Sequence, residues 1–464
     1  MPSRGSETPT IAGPGKTIVS STRAKLLCVR CQHPITAGSK LTICGTCHTP
    51  HHQQCWDENG GCAQADCSGT SVLPLPLYPD RSTRDAADTI SFRLKKSTLP
   101  RLFFAGILIL LLITAFVAHD MFRISIDFLL LIGVVIAALG FDFVNGMNDS
   151  GNAIATVIST RVLTPMAALI MAAVLNFAGA IVMEGVAKSI AGKIVDFHTA
   201  GDVHIDMLMI LCGLLGAIGW AFTMARIGLP ISMSHSLIGG LVGVLLVARI
   251  PLNYPYLGEI VLWMILAPIL GITFGWLLMV AIMWIFRSVA PHKMNQHFRI
   301  WQVFSSATMA FMHGSNDAQK AMGIITLALV AANVHLPHAL DGSPHIPLWV
   351  KIACATVIAL GTGLGGRKVI GTLGHKIFKL TPVHGFAAET VASGTILLAT
   401  LMKVPISTTH VISSSILGVG SSRRLSAVRW GVAGNIVTAW VFTIPTCGIV
   451  AALLYGLVKM LGFR

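Results

Sequence analysis

Long apolar runs alternate with short polar loops along most of the chain. The runs begin near Leu102 and recur as far as Lys459, and each is about 17 to 25 residues long, which is the length that a helix needs to cross a bilayer. No alternating pattern of β-strands appears, so the runs predict helices that satisfy their own backbone hydrogen bonds. We expect about ten to twelve spanning or half-spanning segments, the first of them at 102–118.

Composition and charge support a membrane protein. Of the 464 residues, 54% are hydrophobic and 11% are charged, and the mean hydropathy of +0.74 excludes an ordinary soluble domain. The net charge of +14 comes largely from Lys and Arg in short loops beside the apolar runs, so we expect no nucleic-acid partner. The basic stretch 81–101 precedes the first run, which predicts a cytoplasmic N-terminus. No removable signal peptide is expected, because no short apolar segment with a cleavage site leads the chain.

Seven of the ten cysteines lie between Cys28 and Cys67. With one histidine they form four closely spaced pairs. The pairs are Cys28 and Cys31, Cys44 and Cys47, His52 and Cys55, and Cys62 and Cys67. Four pairs predict two tetrahedral Zn²⁺ sites of structural type, because a segment with so few apolar residues needs metal binding in order to fold. A cytosolic location and an odd number of cysteines disfavour a disulfide framework.

The order of these pairs resembles a RING or PHD-like cross-brace, and "PHHQQCW" and "GGC" are similar to prokaryotic RING-type modules. The resemblance implies two interleaved ligand sets. They are Cys28, Cys31, His52 and Cys55 for one zinc, and Cys44, Cys47, Cys62 and Cys67 for the other. His48 and His51 compete with His52 for the imidazole position. A structural module that binds a cytoplasmic protein partner is favoured over a ubiquitin-type ligase.

Two polar motifs occur twice and in the same order. "GMNDSGNA" at 146–153 matches "GSNDAQKA" at 314–321, and "PISMSH" at 230–235 matches "PISTTH" at 405–410. A chain with two such copies predicts two structural repeats.

Loop charges predict the relative orientation of the repeats. In the first half, Arg161 follows the Asn-Asp motif and the next loop, 194–206, has no Lys or Arg. In the second half, the loop 332–348 has none, and the next loop carries Arg367 and Lys368. The bias is reversed, so we expect the halves to insert with opposite topology, as in many secondary transporters.

The resulting domain organisation is predicted as follows. We expect a disordered tail at 1–27, a RING-like zinc domain at 28–67, a linker at 68–100, a first transmembrane repeat with an additional leading helix at 101–290, and a second, inverted repeat at 291–464. The fold class is therefore an all-α polytopic membrane protein with broken helices and re-entrant hairpins, preceded by a small cross-brace zinc domain.

The polar motifs predict the chemistry of the membrane domain. Asp is costly inside a bilayer and usually functional there, so Asp149 and Asp317 are assigned to a coupling cation, either Na⁺ or H⁺. The glycine before each Asn-Asp pair predicts unwinding of the helix, and Pro230 and Pro405 predict the first position of a new helix. Half-helix N-termini with polar side chains make an anion site. Its candidate donors are Asn148, Asn152, Ser232, Ser234, Asn316, Lys320, Ser407, Thr408 and Thr409.

Four further polar residues in apolar surroundings are less telling. His235 and His410 are interpreted as packing residues, and for Glu184 and Glu389 a titrating role and a structural role stay equally open.

The duplicated motifs resemble those of the inorganic phosphate transporter (PiT) family over about residues 128–461. The resemblance implies an inverted-repeat fold, phosphate bound at the hairpin tips, and a homodimer. Its site positions are Asn148, Asp149, Asn152, Ser232, Ser234, Asn316, Asp317, Lys320, Ser407, Thr408 and Thr409. Gln319-Lys320 replaces the Gly151-Asn152 of the first motif, which leaves the coupling ion open and admits metal-phosphate as the substrate. The first hairpin has Met233 where the second has Thr408, and so lacks one hydroxyl.

The predicted function is import of inorganic phosphate by cation symport across the plasma membrane, the inner membrane in a bacterium. The first alternative is a sulfate permease of the same fold, because both anions are tetrahedral. The second is a membrane-anchored signalling protein whose active part is the zinc module. An anion channel would not need paired acidic residues. An enzyme is not expected, because the chain shows no arrangement of nucleophile, base and oxyanion donors and no nucleotide-binding loop.

Overall fold

The structure is a computed structural model that describes residues 28–33, 41–44, 46–47, 49–72, 125–193, 203–337 and 343–462. The chain divides into two compact units, 1–107 and 108–464. The predicted tail at 1–27, most of the linker and the predicted leading helix at 102–118 lie outside the described residues.

The small unit combines a two-stranded sheet with one short helix. Strand β1 (Leu41–Ile43) pairs in antiparallel fashion with β2 (Pro50–His52), and helix α1 (Gln53–Asn59) follows directly. Gly60 ends α1 with a φ of 66°, in the left-handed region that glycine adopts most easily. Trp56 is buried and packs its ring edge-to-face against His51, with 5.2 Å between the ring centroids. So small an apolar core is consistent with a fold that depends on bound metal.

The large unit is helical. Its α-helices are α2 (Ile126–Ser159), α3 (Pro165–Val182), α4 (Gly185–Lys193), α5 (Val203–Ile227), α6 (Met233–Ala248), α7 (Tyr254–Ile285), α8 (Pro291–Ala331), α9 (Leu348–Leu364), α10 (Arg367–Gly371), α11 (Pro382–Leu401), α12 (Thr408–Ser421) and α13 (Trp430–Met460). A π-helix (Thr372–Lys376) extends α10, and a 3₁₀ turn (Leu425–Ala427) precedes α13.

Within the described residues, five of these helices are long and apolar enough to span a membrane, namely α2, α3, α5, α7 and α13. A sixth span results if α9 is joined to α10 and the π-helix, across a bend of 60°. Helix α6 is apolar but has only 16 residues. Large apolar side chains such as Leu262 and Leu453 are exposed on the outside, while many polar side chains are buried inside the unit. The chain is thus a multi-pass membrane protein with an apolar outer surface and polar side chains among the apolar residues of its interior.

The same order of elements occurs on both sides of residue 290. In each half a long helix carries the Asn-Asp motif, and a shorter helix, a short helical segment and a helical hairpin follow. A long helix with an internal proline, Pro268 in α7 and Pro445 in α13, closes each half. The hairpin helices pack crosswise, with α6 on α13 and α12 on α7. This order agrees with two repeats, and their inverted orientation in the bilayer stays a prediction.

The prediction that the Asn-Asp motifs break their helices is wrong. Both motifs lie within continuous helices, α2 of 34 residues and α8 of 41 residues. The glycines serve close packing instead: a Cβ on Gly146 would lie 2.3 Å from the carbonyl oxygen of Ile358, and one on Gly314 would lie 2.2 Å from that of Asn176. Small residues let membrane helices approach closely. The polar side chains therefore face neighbouring helices, and the backbone hydrogen bonds of each helix stay intact.

Candidate functional site

Two aspartates, one from each half of the large unit, meet in its interior. Asp149 on α2 and Asp317 on α8 are both buried. The hydroxyl oxygen of Thr408, in the first turn of α12, lies 3.5 Å from Oδ2 of Asp149 and 3.3 Å from Oδ2 of Asp317. Its single proton can be donated to one carboxylate at a time. Two close carboxylates in a buried site need a cation or a proton to balance their charge.

His313 completes this cluster, and sequence reasoning missed it. One ligand atom from each of Asp149, His313 and Asp317 lies within 4.8 Å of the other two. Nε2 of His313 is 3.4 Å from Oδ2 of Asp317, and its Nδ1 is 2.9 Å from Oδ1 of Asn176. Asn176 in turn donates its amide to Thr362 at 2.9 Å. This chain of contacts fixes the imidazole so that Nε2 faces the carboxylates. His313 lies one helical turn before Asp317, and this spacing in the sequence indicates that the two side chains share one face of the helix.

Hydroxyl and amide groups lie around the carboxylate of Asp149. The Thr409 hydroxyl donates to Oδ2 of Asp149 at 3.2 Å. Nδ2 of Asn152 donates to Thr409 at 2.9 Å and to Thr408 at 3.3 Å. Nδ2 of Asn148 donates to Oδ1 of Asp149 at 3.1 Å. Within the described part of the chain, the amide oxygens of Asn148 and Asn152 are buried and have no hydrogen-bond partner, so they are free to bind an ion.

The corresponding residues of the second motif have different contacts. Nζ of Lys320 donates to Oδ1 of Asp317 at 2.7 Å, and both side chains are buried. Nδ2 of Asn316 donates to Thr400 on α11 at 3.0 Å, and its amide oxygen has no partner among the described residues. The side chain of Gln319 binds another helix. Its Oε1 accepts hydrogen bonds from the backbone N–H groups of Val186 and Ala187 in the first turn of α4, at 2.7 and 3.0 Å.

The two Ser-containing motifs form helix N-termini, but not through their prolines. Ser232 and Ser407 are the N-cap residues of α6 and α12, and their side-chain oxygens accept from the backbone N–H of His235 at 3.1 Å and of His410 at 3.2 Å. Pro230 and Pro405 therefore lie two residues before the cap, and the prediction that they begin the helices is wrong. A serine cap satisfies an N–H that proline at the first position could not.

Ser234 is buried with the other candidates, but its hydroxyl donates to the backbone oxygen of Ile406 at 2.7 Å. This contact joins the first hairpin to the segment that leads into the second. Of the predicted donors, Asn152, Thr408 and Thr409 thus lie directly at the aspartates, together with Asn148 and Lys320. Ser232, Ser234 and Ser407 shape the helix ends, and Asn316 points to Thr400.

The two glutamates and two histidines that the sequence left without a clear role form hydrogen bonds, ion pairs or ring contacts. Glu389 is buried and accepts hydrogen bonds from the hydroxyls of Thr156 and Ser305. Glu184 is partly exposed and forms ion pairs with Lys188, at 2.6 Å, and with Lys351. The rings of His235 and His410 lie edge-to-face with 4.3 Å between centroids. His410 also stacks on Trp440 at 3.8 Å.

Asp142 and Asn145 extend the polar face of α2 beyond the central cluster. They lie two turns and one turn before Asp149, and both are fully buried. Their side-chain oxygens, and the amide nitrogen of Asn145, have no hydrogen-bond partner at bonding distance in the described residues. Asp142 is a second buried carboxylate on α2 that sequence reasoning left without a role.

The small unit brings the ligands of each predicted zinc set together. One set joins Cys28, Cys31, His52 and Cys55, and the other joins Cys44, Cys47, Cys62 and Cys67, in each case with all ligand atoms within 4.8 Å of one another. The Sγ atoms of Cys44 and Cys67 are 3.8 Å apart, and those of Cys47 and Cys62 are 3.4 Å apart. A tetrahedral zinc with Zn–S bonds of about 2.3 Å requires a separation of about 3.8 Å, so the residues fit zinc. All ten cysteines are among the described residues, and none forms a disulfide.

Neighbouring groups give the thiols of these sets different pKa values. Burial raises the pKa of Cys28, but hydrogen bonds from the backbone N–H groups of Cys31 and His52 outweigh burial and lower that pKa to about 6. Burial likewise raises the pKa of Cys47, while hydrogen bonds from Thr49 dominate and lower it to about 6. In contrast, burial and the neighbouring thiols of Cys31 and Cys28 raise the pKa of Cys55 to about 11. His51 is buried beside Trp56 and stands outside both sets, and His48 is outside the described residues.

Comparison with known proteins identifies relatives of both units. The Phosphate transporter family matches residues 145–451, and Prokaryotic RING finger family 1 matches residues 22–72. A probable low-affinity inorganic phosphate transporter of Bacillus subtilis is 44% identical over 335 residues, which cover 72% of this chain and 98% of that protein. One of the same description from Rhizobium meliloti is 40% identical over 71% of this chain and 97% of its own length.

A solved structure gives the same answer for the fold. The structure described as the sodium-dependent phosphate transporter superposes with a TM-score of 0.61 at 26% identity, and the match covers 71% of this chain and 99% of that one. The predicted resemblance is thereby confirmed, as is the prediction of a transporter and not an enzyme. Phosphate is the transported substrate that these relatives support, and the N-terminal unit is a RING-type, zinc-binding module. The chain belongs to the phosphate transporter family.

Proposed function

We propose that this protein imports inorganic phosphate by symport with a cation, Na⁺ or H⁺, bound at Asp149 and Asp317. The observation that carries the proposal is the meeting of these two buried carboxylates, one from each half, at the first turn of α12. Lys320 balances the charge of only one of the two carboxylates. The other would repel an anion, so phosphate binding there requires a cation in the same site. Symport requires that the solute binds only together with its coupling ion.

The phosphate is proposed to bind beside the aspartates at the N-termini of α6 and α12. Helix N-termini favour anions because their first N–H groups point outward and the helix dipole is positive there. Thr408 and Thr409 supply hydroxyls, Asn148, Asn152 and Asn316 supply amides, and Lys320 supplies positive charge. Ser232, Ser234 and Ser407 are proposed to hold the two helix ends in place and to offer further donors.

Alternating access is proposed to arise from two halves of opposite topology. The repeated order of elements and the crosswise packing of α6 on α13 and α12 on α7 support this view. Movement of one half against the other would expose the central site first to one side of the membrane and then to the other. The reversed loop charges favour a cytoplasmic N-terminus and loops at 287–299 and 367–379 on the same side.

The zinc module is proposed to be a cytoplasmic structural domain that holds two Zn²⁺ ions and binds a protein partner. Its two ligand sets would bind the metal through Cys28, Cys31, His52 and Cys55, and through Cys44, Cys47, Cys62 and Cys67. When bound, each zinc supplies the cross-link that a larger apolar core would otherwise provide. From the family resemblance we also propose a homodimer in the plasma membrane.

Phosphate uptake into proteoliposomes tests the proposal. The purified full-length chain is reconstituted, Na⁺ or H⁺ gradients are imposed, and uptake of radiolabelled phosphate is compared with that of Asp149→Asn. We expect gradient-driven accumulation that arsenate inhibits, that excess sulfate leaves unchanged, and that Asp149→Asn abolishes. Asp127→Asn is the matched control, because Asp127 is a half-exposed residue in the first turn of the same helix. Uptake that ignores both gradients would contradict symport.

A further inference from the structure

The repeated motifs supply two corresponding sets of residues, one with each central aspartate, and only one set is suited to an exchangeable cation. Alignment of the repeated motifs pairs Asp149 with Asp317 and Asn152 with Lys320, and it pairs Thr408 and Thr409 with Met233 and Ser234. We call the first group (Asp149, Asn152, Thr408, Thr409) the Asp149 subsite and the second group (Asp317, Lys320, Met233, Ser234) the Asp317 subsite. The inference rests on the proposed function.

The Asp149 subsite is rich in oxygen atoms. Thr409 lies 3.2 Å and Thr408 3.5 Å from Oδ2 of Asp149, and Asn152 joins both hydroxyls through its Nδ2. The amide oxygen of Asn152 is buried and has no hydrogen-bond partner in the described part of the chain, and the same holds for Asn148. Hard cations such as Na⁺ bind several carboxylate, amide and hydroxyl oxygens. This subsite has those ligands and no fixed positive side chain at bonding distance among the described residues.

The Asp317 subsite lacks most of the corresponding oxygen atoms, although the Thr408 hydroxyl lies 3.3 Å from Oδ2 of Asp317 as well. Where Asn152 offers an amide oxygen, Lys320 has only an ammonium group, which lies 2.7 Å from Oδ1 of Asp317. Where Thr408 offers a hydroxyl, Met233 has a thioether, a poor ligand for a hard cation. Ser234 donates its hydroxyl to the backbone oxygen of Ile406 at 2.7 Å. Apart from the shared Thr408 hydroxyl, the residues of this subsite thus offer Asp317 no free side-chain oxygen, and the ammonium of Lys320 pairs with the carboxylate instead.

We propose that the ammonium group of Lys320 is a tethered cation that takes the place of a transported one at Asp317. The protein then binds one exchangeable cation per phosphate, at the Asp149 subsite, and not two. Asp317 is further flanked by Nε2 of His313 at 3.4 Å, while the same atom is 4.0 Å from Asp149. The ammonium of Lys320 thus pairs with Asp317 throughout the proposed cycle, and only Asp149 must acquire and lose its counter-ion.

The test is the cation dependence of Lys320→Asn, which restores the residue of the first motif. In proteoliposomes, the initial rate of phosphate uptake is measured against the concentration of Na⁺ at fixed pH, and against pH at fixed Na⁺. The Hill coefficient for the coupling cation should rise from about 1 in the wild type to about 2 in Lys320→Asn, because the number of sites sets its upper limit. The measured ratio of cation to phosphate taken up should rise by one. Lys320→Arg keeps the charge and should behave as the wild type.

A second measurement does not depend on phosphate transport. Thermal unfolding of the purified chain in detergent is followed with added Na⁺ or with changing pH, in the absence of phosphate. The wild type should be stabilised by the cation through the Asp149 subsite. Lys320→Asn should show a larger cation-dependent stabilisation than the wild type, and Asn152→Lys should lose it. If the wild type fails to take up phosphate, the proposed function falls, while this comparison still decides the role of Lys320. A Lys320→Asn chain with the cation response of the wild type in both measurements overturns the inference.

Discussion

The zinc module and the membrane site around Asp149 and Asp317 both bring together side chains that favour a bound cation. They differ in whether ligand atoms remain without a partner. In the module, each set has four ligands, which is the full requirement of a tetrahedral zinc. In the membrane site, the carboxylates of Asp149 and Asp317 lie beside amide oxygens that have no partner in the described residues. A closed ligand set suits an ion that stays, whereas an open set suits an ion that enters and leaves. This difference supports our proposal that the zinc sites are structural and that the cation at the two aspartates exchanges.

Removal of zinc should have the largest effect, and it should be confined to the module. Structural zinc contributes about 10–16 kcal/mol of apparent binding energy in small zinc domains at neutral pH, and the described core of this unit offers little else. A strong chelator added to the full-length chain should make residues 28–72 sensitive to protease, while the membrane unit stays folded and keeps its phosphate uptake. A module that resists protease without zinc would contradict a metal-dependent fold.

Two adjacent histidines provide the matched control for this experiment. His52 lies in the first ligand set, and His51 lies outside both sets against Trp56. His52→Gln should lose one of the two zinc ions and His51→Gln should keep both, as measured by metal analysis of the purified chain. Equal zinc content in the two variants would show that the ligand assignment is wrong.

Replacement of Asp317 should destabilise the membrane unit more than replacement of Asp149. Asp317→Asn leaves the buried ammonium of Lys320 without its partner at 2.7 Å, and a broken buried ion pair costs about 3–5 kcal/mol. Asp149→Asn keeps its hydrogen bonds with neutral groups and should unfold close to the wild-type temperature, although it no longer transports. Thermal unfolding in detergent measures the difference.

The double variant Asp317→Asn with Lys320→Gln checks the cause of that loss. If the unpaired ammonium is responsible, removal of its charge should recover part of the lost stability. A double variant as unstable as Asp317→Asn alone would place the cost elsewhere in the packing of α8.

The chain of contacts behind His313 should matter less, but measurably. Asn176→Leu keeps the branching of the side chain and leaves Nδ1 of His313 and the Thr362 hydroxyl without the amide that joins them. An unsatisfied buried polar group costs about 1–3 kcal/mol, so we expect lower thermal stability and weaker cation dependence of uptake. Thr362→Val, which removes only the far end of the chain of contacts, is the control and should have the smaller effect. Equal effects of both would mean that Asn176 does not orient the imidazole.

Residues that lie close along the chain were the easiest to predict. The eight predicted zinc ligands occur in short pairs, and the structure groups them into the two sets that the cross-brace pattern implies. The duplicated motifs likewise indicated which aspartates belong together. Asp149 and Asp317 meet because two equivalent helices cross at the centre of the unit, and an internal repeat carries that information in the sequence.

Contacts between distant segments could not be read in the same way. His313 depends on Asn176 of α3, and Glu389 depends on Thr156 of α2 and Ser305 of α8, and no local pattern joins these residues. Gly146 was expected to break α2, but it accommodates the backbone of α9 at Ile358. A glycine in a polar stretch has the same local preferences in both cases, so only the packing distinguishes an unwound helix from a close crossing.

Acidification should weaken zinc binding, and the pH dependence of the zinc affinity should reveal which thiols have a lowered pKa. Zinc binds the thiolate, and Cys28 and Cys47 each have a pKa lowered to about 6 in the metal-free module. Above that pH these two thiols are already ionised. Below it each must lose a proton to the solvent before it binds zinc, so the zinc affinity of each site should fall by a further factor of about ten per pH unit, or about 1.4 kcal/mol.

Competition with a fluorescent chelator from about pH 5 to about pH 8 measures this dependence, and its slope should steepen near pH 6. Thr49→Val is the matched variant. The Thr49 hydroxyl lies 3.0 Å from Sγ of Cys47 and lowers the pKa of that thiol. Its loss should therefore move the break in the second site to higher pH and leave the first site unchanged. A slope that stays constant through pH 6 in the second site, whose four ligands are all cysteines, would mean that the surrounding N–H and hydroxyl groups do not prepare its thiolates for the metal. The closed set would then differ from the membrane site only in its number of ligands.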